Sequence, residues 1–416
     1  MASLSPPSTV PVREPARWTL VALLTASICI NYADRGNLSV GIAQIIREIP
    51  LTPADEGLLF SAFFWTYASC LFLSSFIIDR FPVTRLFAAG YALWSLATVV
   101  TAAAQGFVTL LVPRLFLGVG ESVAYPSYSK ILATRFSETE RGTANAWIDA
   151  GSKAGPALGV LGGGLLLQFF GWRGMFLILG AAGMLWLLPW HLTVRRVPSL
   201  ATPLPAHQPP PPLLEIISRR DAWATFLGLF AGNYLWYFLL TWLPPYLVMK
   251  RHYTTYMMAF YGSLPFWGVA ASSLFSGWLS DRLILSGADP SKVRRRFGGY
   301  GLLASVLLLP AYLAHSNRLS MILLVAACLS YGAFSSNVWA ITQSLAGPRA
   351  AAKWTGLQNA FGNLAGVTAP WVTGQIVNRT GSFYWAFSTV AGVAFFGGFC
   401  YFAMVRSIKE VSWKTA

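Results

Sequence analysis

The chain has 416 residues, of which 55% are hydrophobic and only 11% are charged. An ordinary soluble domain carries about 25% charged residues, so this chain has too little charge to clothe a water-facing surface, and a soluble fold is excluded. Its formal net charge of +15 would point to nucleic acid in a soluble protein, but no basic stripe interleaves with aromatic residues, so nucleic-acid binding is excluded and the charge is read against membrane topology.

In chain order, the tail 1–17 is polar and proline-rich up to Pro15, lacks a signal-peptide cleavage pattern, and runs straight into a long apolar stretch. Crossing roughly 30 Å of hydrocarbon takes about 20 helical residues. Segments of that size fall at 18–38, 56–78, 84–104, 107–129, 142–169 and 173–192, and again at 222–248, 255–280, 297–314, 319–342, 353–376 and 382–404. Twelve transmembrane helices are predicted, an all-α polytopic membrane protein. The connection 193–221 contains a run of four consecutive prolines, Pro209 to Pro212, and reads as a linker between an N-terminal six-helix bundle, 18–192, and a C-terminal one, 222–404. A tail, 405–416, follows.

The polar residues inside these spans are the functional candidates, because an ionised group in the bilayer is costly wherever nothing pairs with it. The first span carries Asn31-Tyr32-Ala33-Asp34-Arg35-Gly36-Asn37-Leu38 near its outer end. Asp34 and Arg35 either end the helix and snorkel outward or face the bundle interior. The second span offers Tyr67, with Trp65 nearby, as a cavity hydroxyl or a packing residue, and ends in Asp79-Arg80. In the fourth span Arg114 and Glu121 are seven residues apart, almost two turns, so they share a face. Glu121 sits near mid-membrane with Arg114 outward of it. A carboxylate in a low-dielectric cavity can load and release a proton near neutral pH, whereas a guanidinium stays charged and its planar fork fits a carboxylate. A purely structural buried ion-pair network is the competing reading.

Lys153 in the fifth span has Asp149 one turn away. That pair either neutralises itself or leaves Lys153 as a second cationic contact for substrate. The eighth span ends in Asp281-Arg282, echoing Asp79-Arg80 and pointing to duplication of the two halves; two bundles around a central cavity, each of inverted three-helix repeats, are the architecture such two-half transporters take. Asn359 and Asn363, at i,i+4 in the eleventh span, place two amides on one face, suited to bind hydroxyls or to glue helices together. The four cysteines, Cys29, Cys70, Cys328 and Cys400, lie in apolar stretches without metal-ligand spacing and read as small buried hydrophobes. The histidines at 191, 207, 252 and 315 are scattered, so neither a Ser-His-Asp arrangement nor a metal site emerges, and no Walker motif points to ATP. The chain is expected not to be an enzyme and to need no cofactor.

Lysine and arginine test the topology. Twenty-one lie on the side holding both termini and 6 on the opposite side, with Arg35, Arg114 and Lys153 inside spans. The positive-inside rule then puts both termini and the linker in the cytoplasm.

Five stretches in this order resemble the major facilitator superfamily, and within it the anion:cation symporter family. They are Asn31-Tyr32-Ala33-Asp34-Arg35-Gly36-Asn37-Leu38-Ser39-Val40, Phe60-Ser61-Ala62-Phe63-Phe64-Trp65-Thr66-Tyr67, Arg114-Leu115-Phe116-Leu117-Gly118-Val119-Gly120-Glu121, Thr241-Trp242-Leu243-Pro244-Pro245-Tyr246-Leu247 and Gly362-Asn363-Leu364-Ala365-Gly366-Val367-Thr368-Ala369-Pro370. The resemblance covers about residues 18–405 and implies two six-helix bundles around a central cavity. It implies Asp34 and Glu121 as proton-coupling carboxylates, Arg114 as the arginine linking protonation to organic-anion binding, and Tyr67 and the region of Asn359 as substrate contacts. Arg35, Asp79, Arg80, Asp149, Asp281 and Arg282 are then gating or structural charges. The implied activity is proton-coupled symport of a small organic anion such as a sugar acid. A functional monomer in the lipid of a bacterial cytoplasmic membrane is expected.

Two departures from the family pattern matter, and the second bears on substrate. The family's glycine-rich hinge after the second span is reduced here to Ser74-Ser75-Phe76-Ile77-Ile78-Asp79-Arg80-Phe81-Pro82-Val83-Thr84-Arg85. Lys153 makes the expected cavity more basic than one with a neutral residue there. An exchanger of organic phosphate for inorganic phosphate, or of dicarboxylates, is therefore the alternative.

Overall fold

The computed structural model describes residues 14–77, 80–136, 138–194, 211–405 and 408–413. Most of the expected linker and the first thirteen residues lie outside the described residues, as does Asp79.

The N half runs through α1 (Glu14–Glu48), α2 (Pro53–Ile77), α3 (Val83–Thr101), α4 (Phe107–Glu121), α5 (Ala124–Arg135) and α6 (Glu138–Val194). After a short helix, α7 (Leu213–Ile217), the C half runs through α8 (Arg220–Met249), α9 (Thr255–Leu285), α10 (Pro290–Ala304), α11 (Leu308–Leu313), α12 (Asn317–Thr380) and α13 (Tyr384–Met404). There is no strand among the described residues. The two longest helices each hold two passes, folded over at Gly171 and Gly347, whose φ of 66° is left-handed backbone that glycine adopts without a Cβ clash. Seven stretches of the described residues are apolar and long enough to cross a membrane on length and composition alone. One of them, 143–194, contains both passes around Gly171. With α1, α2, α9 and 348–380, which are equally long, the rods number twelve among the described residues.

Two expectations are corrected. The first helix does not end near residue 38 but continues to Glu48, because nothing from Ser39 to Glu48 breaks a helix and the polar groups of Arg47 and Glu48 come only at its last turn. Cys29 and Cys70 are half-buried, whereas Cys328 and Cys400 are buried, and all four are free.

The halves meet on the side away from the termini. There Ser39 Oγ donates to the Thr241 carbonyl at 2.6 Å, and Phe60 packs edge-on against Trp242 at 5.4 Å. Gly57 and Gly374 bring α2 and α12 into backbone contact: a Cβ on Gly57 would lie 2.9 Å from the Gly374 Cα. Small residues permit such approach in helical membrane proteins. On the same side, Arg251 ties the C half together by donating to the carbonyls of Ala311, Tyr312 and Ala314. Toward the termini, Asp149 of α6 keeps 58% of its side chain exposed.

Candidate functional site

Because α1 continues past residue 38, Asp34 and Arg35 stand in mid-helix and are 4% and 3% exposed. They do not snorkel. Arg35 Nε donates to Glu121 Oε2 at 2.8 Å, joining α1 to the end of α4. Its guanidinium lies in an aromatic cage, 4.6 Å from the ring centres of Tyr32 and Tyr67 and 5.0 Å from that of Phe63. Cation–π attraction is strongest where water is excluded, and here both charges are buried. Asp34 Oδ1 accepts from Asn37 Nδ2 at 2.9 Å, one turn along the same helix.

Arg114 and Glu121 do share the buried face of α4, but Arg35 supplies the ionic contact to Glu121. Arg114 Nη2 donates to the Arg35 carbonyl at 3.4 Å, and its Nε is buried without a partner. The N half thus gathers two carboxylates and two guanidiniums. Their charges balance when both acids are ionised, and one cationic charge is left over when either acid takes a proton. Removing one member of such a buried set strands the others.

Tyr67 is 3% exposed, stacked on Phe63 at 5.3 Å and lying over Arg35. Lys153 Nζ is paired with Asp149 Oδ1 at 2.9 Å, at i,i+4. Across the interface, Asn363 Nδ2 donates to the Asn359 carbonyl at 2.9 Å. Tyr237 of α8 donates to Asn363 Oδ1 at 3.1 Å and packs on Phe64 of α2 at 4.4 Å. The asparagines therefore connect through Tyr237 and Phe64 to the wall of the Arg35 cage. The other charges stand apart: Arg80, Asp281 and Arg282 are exposed at helix ends toward the termini, Arg282 lying over Trp278.

Sequence reasoning passed over four residues of this site. Tyr32 and Phe63 complete the cage, and Asn31 is wholly buried beside Glu121. The i,i+4 spacing of Asn31 and Arg35 was a usable signal. Tyr237 had none, since one tyrosine in an aromatic helix looks like packing.

Residues 24–370 match the sequence profile of the Major Facilitator Superfamily. A rice protein described as probable anion transporter 4, chloroplastic, is 32% identical over 88% of this chain, which spans 64% of the rice protein's length. The D-galactonate transporter of Escherichia coli O6:H1 is 28% identical over 95% of this chain and 97% of its own. Among solved structures, a bacterial homologue of the human lysosomal transporter Spinster, in an inward-facing and occupied conformation, superposes with a TM-score of 0.81 at 20% identity. That match covers 97% of this chain and 100% of the other.

Proposed function

The chain belongs to the Major Facilitator Superfamily, a transporter and not an enzyme, and on that premise we propose that it carries a small organic anion, a sugar acid or related carboxylate, by proton-coupled symport. The observation that carries the reading is the buried Arg35–Glu121 pair, 2% and 0% exposed at the side chain, with Arg114 and Asp34 alongside. Relatives named as an anion transporter and as a D-galactonate transporter support the class of substrate.

The mechanism follows from charge balance. While Glu121 is ionised it holds Arg35, and the cage is neutral overall. A proton on Glu121 breaks that ion pair and leaves a guanidinium to be neutralised, which a substrate carboxylate does with two parallel hydrogen bonds. Proton and anion thus enter together, because either alone leaves uncompensated charge in a low-dielectric site. Tyr67 and the Asn359–Asn363 pair then contact the hydroxyls. Closing of the two bundles around the occupied site, and opening on the other side, completes alternating access. Two protons per monoanion would carry net positive charge inward, gaining about 2.3 kcal/mol per charge per 100 mV.

The setting is a bacterial cytoplasmic membrane with both termini cytoplasmic, the protein acting as a monomer. Single cysteines at Ala2 and Ala206 in a cysteine-free background should resist an impermeant thiol reagent in intact cells and react after permeabilisation. Labelling of both in intact cells would reverse the orientation.

Lys153 favours a second reading. In its pair with Asp149, the carboxylate is 58% exposed, and a second acidic group on the substrate could displace it, as an organic-phosphate or dicarboxylate exchanger requires. One experiment separates the two. In proteoliposomes under an inward proton gradient, D-galactonate and a panel of sugar acids should accumulate, and Glu121→Gln should lose accumulation while keeping counterflow. Accumulation that ignores the gradient and needs internal phosphate or dicarboxylate would establish the exchanger instead.

A further inference from the structure

Glu56 is buried like the acids of the Arg35 cage but has no cation. It is 2% exposed and its Oε2 is buried without a partner, and neither a hydrogen bond nor an ion pair reaches its carboxyl among the described residues. Helical period places it. Glu56, Phe60 and Phe64 stand at i,i+4 on α2 and form one stripe. Phe60 packs on Trp242 at 5.4 Å and Phe64 on Tyr237 at 4.4 Å, both from α8 of the other half. Beside the stripe, Gly57 meets Gly374 of α12. Glu56 thus heads the row of side chains that α2 presents to the C half, on the side away from the termini.

The surroundings offer a carboxylate no compensation. Trp242 gives its Nε1–H to the Pro370 carbonyl at 3.1 Å. Asp55, the titratable group acting on Glu56, has the same sign of charge and accepts from the Thr52 N–H at 2.9 Å and the Thr52 hydroxyl at 2.7 Å. The other charged groups at this end of the helices around α2 are engaged elsewhere or exposed. Glu48 of α1 pairs with Arg173, and Arg251, just past α8, donates to the carbonyls of Ala311, Tyr312 and Ala314. Arg47, Lys250 and Arg379 are exposed, and Arg114 of α4 belongs to the cage. The first turn of a helix favours negative charge, but that gain is smaller than the cost of burying an unpaired carboxylate. A neutral acid escapes most of that cost.

We propose that Glu56 is a proton-binding site of the joint between the halves: it takes a proton from the outer aqueous phase as the halves close over it and returns it there when they part. The proton adds to one carboxylate oxygen and forms one O–H bond. Because it leaves to the side from which it came, it sets the closing equilibrium without adding to the protons carried with substrate. Outer acid therefore favours the closed joint, and the ionised form resists closure. The inference rests on the alternating-access reading, and not on which acid carries the coupling proton.

The test is the distance across the outer mouth, read by double electron–electron resonance on the full-length protein in lipid nanodiscs. Spin labels sit on cysteines replacing Gln105 in the N half and Ser316 in the C half, both exposed, with the native cysteines removed. Glu56→Gln mimics the neutral acid. At about pH 8 it should raise the ratio of short to long distances by about tenfold or more, and at about pH 5, where Glu56 already holds its proton, it should leave the ratio unchanged. The other acids are common to both proteins and cancel in this comparison. Glu56→Met, also unable to ionise, serves if the glutamine variant does not fold, and the change in ratio between the two pH values should shrink by the same factor. An equal effect at both pH values, or none at either, overturns the role of Glu56 alone. If the wild-type distance takes one value at both pH values and with D-galactonate, the halves do not part there, and the alternating-access reading falls together with this inference.

Discussion

The two halves of the molecule bury different things. Among the described residues, the N half buries Asp34, Arg35, Glu56, Arg114, Glu121 and Arg135, whereas the buried polar residues of the C half are serines, threonines, asparagines and a glutamine. Buried charges are costly alone and tolerable only in compensated sets, so a set that can exchange partners stores a switch. Neutral amides and hydroxyls hold their hydrogen bonds at any physiological pH and store none. Under the proposed proton-coupled symport, energy coupling falls to the N half and recognition of uncharged substrate groups to the C half, and each expectation below strains that division.

The largest effect is expected from Arg35→Met, which leaves Glu121 ionised and unpaired. Breaking a buried pair costs about 3–5 kcal/mol, so thermal unfolding of the purified protein should fall steeply and transport should vanish. Adding Glu121→Gln should restore the unfolding temperature without restoring proton coupling. An unfolding temperature in Arg35→Met equal to wild type would mean that the pair bears no buried charge.

Arg114→Lys comes next. It keeps the charge but not the planar fork, and direct binding to folded material should lose roughly tenfold or more in preference for a carboxylate over its amide. Retained preference would leave the anion contact to Arg35, the guanidinium released when Glu121 is protonated. At the joint between the halves, Gly57→Leu inserts a side chain where Gly374 leaves no room. Overpacking of about 1–3 kcal/mol should hold the seal open, and a single cysteine replacing Ser61 should label faster from the side away from the termini. Unchanged labelling would show that the α2–α12 contact does not close the site.

The smallest effect should come from Asn363→Ala, which removes the Tyr237 bond, an interaction of about 0.5–1.5 kcal/mol. A few-fold rise in KM for a hydroxylated acid is expected, with the pH profile unmoved. A shifted pH midpoint in this variant would break the division between the halves, since it would place a neutral C-half group in the coupling machinery.

Composition, span lengths, the arginines and carboxylates inside the spans and the family motifs were all legible in the sequence, because each is a local property of twenty residues in hydrocarbon. Helical period also put Arg114 and Glu121 on one face. It could not say which neighbour that face meets, since the rotation and crossing of helices are set by packing between segments far apart in the chain. Tertiary structure therefore decided that Arg35, 86 residues away, and not Arg114, holds Glu121. It decided that α1 continues beyond Leu38 and keeps Asp34 and Arg35 inside, that the halves meet closely at Gly57 and Gly374, and that Asn31 is wholly buried. Burial is set by all of a residue's neighbours at once, and no window of sequence contains them.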